Sequence, residues 1–69
     1  MNAAYWRRGL ALFVGGSAQL TFVDGEGRER TWVGQLLRLD DERGPIIDWQ
    51  GEPRRLCAWE QLRAAESAA

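Results

Sequence analysis

Thr31-Trp32-Val33-Gly34-Gln35-Leu36-Leu37-Arg38-Leu39-Asp40-Asp41 is an apolar run that stops abruptly in an acidic turn, and it reads as the central strand of a small sheet. Side chains alternate between the two faces of a strand, so Trp32 and Leu36 share one face while Val33, Leu37 and Leu39 share the other. Both faces are therefore expected to need cover. Gly34, near the middle, is the expected site of a bend or bulge by which a small sheet curls over.

On the N-terminal side of this run, Ala18, Leu20 and Phe22 alternate with Gln19, Thr21 and Val23, the pattern of a strand with one mostly apolar face. Asp24-Gly25-Glu26-Gly27 supplies residues that tolerate positive φ, so this strand should return through a hairpin into a long one from Arg28 to Asp40. On the C-terminal side, Asp40-Asp41-Glu42-Arg43-Gly44 is a second turn. Pro45 then admits the chain to Ile46-Ile47-Asp48-Trp49-Gln50, and Gly51-Glu52-Pro53 forms a third turn before a strand from Arg54 to Trp59. Trp59-Glu60-Gln61-Leu62-Arg63 reads as a helical or 3₁₀ turn leading to a last short edge strand, with Ser67-Ala68-Ala69 as a free end. Strands separated by Gly, Asp and Pro at short spacing make an antiparallel meander.

Residues 2 to 14 read as a short helix, with Asn2 as N-cap, Ala3, Trp6, Leu10 and Phe13 at spacings of three and four, and Gly15 as the stop. Gly9 weakens that helix. The competing reading makes Leu10 to Val14 a strand turning through Gly15-Gly16, and five residues of periodicity do not separate the two. With the helix adopted, the chain is one mainly β domain over residues 1 to 69. Its N-terminal helix lies within 1 to 15 and its core within 17 to 66, an SH3-like or Sm-like antiparallel barrel of four to five strands.

A domain of 69 residues buries only about 60% of the surface its unfolded chain exposes. Disulfides, metals or oligomerisation usually offset that deficit. Cys57 is the only cysteine and histidine is absent, so an internal disulfide is excluded and a zinc site lacks its usual ligands. Self-association or a bound partner remains. The net charge of -1 and pI near 5.3 argue against a general nucleic-acid binder. Arg7-Arg8 followed by Gly9 to Val14 imitates a secretory signal, but the apolar part is short and is read as part of the fold. No apolar run approaches the roughly 20 residues of a membrane span, and the unpaired thiol suits a reducing compartment, so the expected location is the cytoplasm.

Catalysis finds little support. The commonest general base is missing, the serines and threonines lie in no nucleophile-elbow context, and Cys57 reads as a small buried residue of a strand. Asp40, Asp41 and Glu42, or Asp24 and Glu26, have the chemistry to hold magnesium, but read more simply as solvated turns. Neither glycine-rich stretch has phosphate-loop spacing. No catalytic residue, metal ligand or cofactor is expected.

The run Gly34-x-Leu36-x-x-Leu39-Asp40, the Ile46-Ile47 strand, Gly51-x-x-Arg54-x-Leu56 and the closing Trp59-x-x-Leu62 together resemble small Sm-like and SH3-like barrels over residues 18 to 66. The pattern looks most like the YolD-like proteins of bacteria and phages, and is also similar to the Sm-like core of WYL domains and to small Rho-inhibiting barrel proteins. The resemblance implies a small accessory factor of phage or mobile-operon type, linked to DNA-damage polymerases. The RNA-pocket signature of the Sm family departs here: no Asn follows the Asp40 turn as expected, and no Arg-Gly pair sits in the closing strand.

Four tryptophans in so short a chain bear most directly on function. Each buries on the order of 200 Å². Placing all four inside is difficult, although a core that absorbs every ring remains one reading. Tryptophan beside arginine is the usual chemistry of an interface hot spot. Trp6, Trp32 and Trp49, with Arg7, Arg8, Arg30 and Arg54, are therefore the expected partner-binding residues. The expected function is a non-enzymatic protein-protein interaction module, a regulator acting as a homodimer or within a complex. The alternative is a Sm-like binder of single-stranded nucleic acid, with tryptophans as stacking platforms and Arg7, Arg8, Arg28, Arg30, Arg54 and Arg55 tracking the backbone.

Overall fold

A computed structural model describes residues 3–68. The chain begins with helix α1 (Ala3–Leu10), which tightens into a 3₁₀ turn at Ala11–Phe13. Strands β1 (Ser17–Val23), β2 (Glu29–Asp40), β3 (Gly44–Trp49) and β4 (Glu52–Arg55) follow, then a 3₁₀ turn at Trp59–Gln61 and strand β5 (Leu62–Ser67). All pairings are antiparallel, and the five strands form one sheet in the order β4-β3-β2-β1-β5. The fold is mainly β with an N-terminal helix, as the sequence indicates. The sheet is open: β4 and β5 lie at its two edges.

The N-terminal segment is a helix because Trp6 and Leu10, four residues apart, both turn into the core, and Phe13 packs beside them. Leu10 to Val14 therefore does not form the competing strand. Gly15 ends the element at φ +90°, and its N–H donates to the Leu36 carbonyl while Gly16 accepts from Leu36 N–H. Asn2, the expected N-cap, lies outside the described residues.

Gly34 is not the bulge. The irregularity falls two to three residues later, because Leu36 pairs with Ile47 and Arg38 with Ile46, leaving Leu37 as the extra residue. Gly34 serves a different purpose. A Cβ there would sit 2.5 Å from Cζ2 of Trp32, so the missing side chain is what lets that indole lie flat along its own strand.

The bulge also corrects the expected faces of β2. An extra residue reverses the alternation, so Leu39 packs against the same core as Leu36 rather than sharing a face with Val33. On the opposite face Val33 is exposed and Leu37 half-buried, among polar neighbours joined across strands. Thr21 and Thr31 are 3.3 Å apart through their hydroxyls, and the Gln19 amide donates to Glu66 at 2.8 Å.

The core joins Trp6 and Leu10 to Ala18, Leu20, Leu36 and Ile47, with Cys57, Trp59 and Leu62 from the C-terminal third. The expected strand from Arg54 to Trp59 is shorter and earlier than its pattern indicates. β4 ends at Arg55, Cys57 lies in the irregular segment that follows, and Trp59 opens the 3₁₀ turn. Apolar Leu56 to Trp59 resembles a strand because it is buried, not because it pairs along a ladder. Gln61 fixes this segment: its side-chain oxygen accepts from Ala58 N–H at 2.8 Å while its amide donates to the Val23 carbonyl at 2.9 Å. Ser67 is not part of a free end but closes β5, and Ala68 N–H donates to Ser17 O.

Candidate functional site

A pocket of about 360 Å³ opens between α1 and β5. Helical spacing puts Trp6 and Leu10 on its floor, Phe13 reaches it from the following 3₁₀ turn, and Ala65 contributes from the sheet. Tyr5 stands edge-on to Trp6, with ring centroids 5.3 Å apart and planes at 84°, a favourable quadrupolar arrangement that holds both rings in place. Arg8 also lines the pocket and makes no ion pair with any described residue. The combination is aromatic and apolar walls with one cation. The Trp6 indole N–H is buried and finds no acceptor among the described residues.

Gly9 lines the same pocket, and nothing lies within 4 Å of where its Cβ would be. Glycine in a helix costs roughly 0.5–1 kcal/mol relative to alanine. Among the described residues no neighbour requires that sacrifice. The space it leaves faces outward into the opening.

The expected partner-binding residues do not gather in one place. Trp6 and Arg8 meet at the pocket. Trp49 and Arg54 meet elsewhere, on the β3–β4 hairpin, where the Arg54 guanidinium lies 5.5 Å from the centre of the exposed Trp49 ring. Arg7 reaches from α1 to Asp41, Nη1 to Oδ1 at 2.6 Å, tying the helix to the β2–β3 turn. Arg30 donates from Nε to Asp24 at 3.0 Å. Trp32 is half-buried against the core. Of the four tryptophans, Trp6 and Trp59 are buried, Trp32 is largely absorbed, and Trp49 alone is exposed. Sequence reasoning missed Tyr5, Gly9, Phe13 and Ala65. Phe13 had a signal, since it lies one helical heptad beyond Trp6, and Gly9 was visible only as a flaw in the helix.

The carboxylates read as magnesium candidates are engaged in turns. Asp24 accepts from the Glu26 and Arg28 N–H groups at 2.9 Å each and pairs with Arg30. The Arg28 backbone bond, then the Arg30 side chain, holds its pKa below the ordinary value. Asp40 accepts from Arg43 N–H at 2.8 Å and Glu42 N–H at 3.0 Å, and these bonds, the Arg43 one foremost, lower its pKa likewise. Burial pushes the Cys57 thiol up to about 11, which removes thiolate at neutral pH. Among the described residues no group of three or more His, Cys, Asp or Glu is placed to hold a metal ion, and no helix is long and apolar enough to cross a membrane. No family model, curated protein or solved structure matches the chain.

Proposed function

We propose that this chain is a non-enzymatic protein-binding module whose docking site is the pocket between α1 and β5. The observation that carries the reading is Gly9: a helix keeps its weakest ordinary former at a position where none of the described residues claims the space, beside an aromatic pocket holding an arginine that makes no ion pair among them. Such a site suits a large apolar side chain flanked by acid. The turn-bound carboxylates and the buried Cys57 thiol support a binding role over a catalytic one. An accessory role of the YolD-like kind agrees with this reading.

Nucleic acid is the weaker partner class. The net charge is -1, and Arg7, Arg28 and Arg30, half of the six arginines that would follow a phosphate backbone, are each paired with a carboxylate. The exposed Trp49 beside Arg54 is the feature that favours it.

A photo-reactive benzoyl-phenylalanine in place of Tyr5, an exposed aromatic residue of the pocket lining, is expected to cross-link to one discrete protein when placed in the living host. Arg8→Glu in the same chain should abolish that product. Cross-linking to nucleic acid, or Trp49 quenching by a single-stranded oligonucleotide that weakens steeply with salt, would overturn the assignment. Gly9→Ala is expected to raise stability to urea by about 0.5–1 kcal/mol while weakening capture of the partner.

A further inference from the structure

Resting on the reading of this pocket as a protein-docking site, we infer that its occupant is an extended peptide segment that adds to the sheet as a sixth strand along β5 and drops one large apolar side chain into the pocket. β5 is an edge strand, paired among the described residues only with β1. Its register with β1 and the Ala68 N–H to Ser17 O bond fix which backbone groups face inward. Alternation along an antiparallel ladder then turns Glu66 toward β1 and directs the N–H and C=O of Ala65 to the open edge.

The same Ala65 pairs with buried Leu20 and lines the pocket, so its side chain marks the helix-covered face of the sheet. A strand added beside β5 would lie about 4.8 Å away, and its residue opposite Ala65 would project on that same face. The side chain is thereby delivered among Tyr5, Trp6 and Phe13. Small side chains at Ala64 and Ala65 keep the edge accessible.

Charge defines the segment further. Arg8, without an ion pair among the described residues, calls for an acidic residue flanking the anchor. The opposite edge is guarded. β4 has four residues, all exposed, and Pro53 among them lacks an N–H. That asymmetry argues against endless edge-to-edge association and leaves β5 as the edge that accepts a strand.

The test uses a library of nine-residue peptides displayed on phage, screened against the full chain, with the best binder synthesised and titrated into ¹⁵N-labelled protein. The expected winner carries a central Leu, Ile, Phe or Trp with a neighbouring Asp or Glu. Hydrogen exchange of the Ala65 amide should slow on binding. N-methylation of alternate peptide amides should weaken binding by about tenfold or more in one register and little in the other, the loss of one or more backbone hydrogen bonds. Arg8→Glu, at an exposed position, should shift selection toward basic flanks.

If the selected peptides perturb Tyr5, Trp6 and Phe13 but leave Ala65 exchange unchanged, strand addition is wrong while the pocket reading stands. If no selected peptide perturbs the pocket, both fall. If Ala65 is already protected without peptide and the chain sediments as a dimer, a second copy holds the edge and the peptide assignment is overturned.

Discussion

Gly44 is the residue at which the fold tolerates no substitute. Its φ is +135°, and a Cβ there would meet the Cys57 carbonyl oxygen at 2.0 Å, a backbone atom that cannot swing aside. The close approach lets the start of β3 pass beneath the segment after β4, where Leu56 N–H donates to the Pro45 carbonyl at 3.0 Å. Gly44→Ala combines a backbone conformation that L-residues rarely adopt with a clash against main chain. The expected cost is about 3 kcal/mol or more, enough to leave a domain of this size largely unfolded. Circular dichroism and urea titration check it. Gly51→Ala is the control, because it shares positive φ but meets nothing within 4 Å, and it should cost about 1 kcal/mol.

At the scale of elements, the β2–β3 hairpin and the C-terminal 3₁₀ turn hold each other through Trp59. Its ring is buried, and its Nε1–H donates to the Asp40 carbonyl at 2.8 Å. Asp40 in turn shapes the hairpin by accepting from the backbone of Glu42 and Arg43. Trp59→Phe keeps most of the apolar contact but removes this bond between the two elements and leaves a void. A loss of about 2 kcal/mol is expected in urea titrations, and a value near zero would mean that this bond does not couple the two elements. Such elements differ in how plainly they are written. The alternation of Ala18 to Val23 and the Asp-Gly turn after it specify β1, its hairpin and β2 directly, since polar and apolar residues there obey a period of two. Leu37 carries no comparable mark, because a bulge is a choice of register and any apolar residue can fill it. That single slip moved Leu39 to the other face. Leu56 to Trp59 misleads for a related reason, as burial alone imitates a strand. Of the candidate site, Trp6 and Arg8 were legible from composition, whereas Ala65 joins them only through the β1–β5 register.

For the whole molecule, the titrating groups predict a stability profile with two shoulders. Asp24 and Asp40 have folded pKa values below the ordinary 3.8, so their contribution is full above that pH and is lost as pH falls through the lower folded values. Cys57 goes the other way. Its thiol rises from 9.0 to about 11 in the folded chain, so the unfolded state ionises first, and stability declines as pH rises between those limits. The chain has no histidine, so no side chain of that type bends the curve between the two shoulders. Thermal midpoints measured from pH 2 to 11 are expected to be level near neutrality and to fall at both ends. Asp40→Asn should lower the plateau and flatten the acid shoulder, because the amide keeps an acceptor for the turn but not the charge that pH removes. Cys57→Ala should abolish the alkaline decline while leaving the acid shoulder in place. An alkaline decline unchanged in that variant would place its origin in a group other than the buried thiol, and Ellman's reagent reacting with the folded protein as fast as with the unfolded one would contradict the burial from which the shift arises.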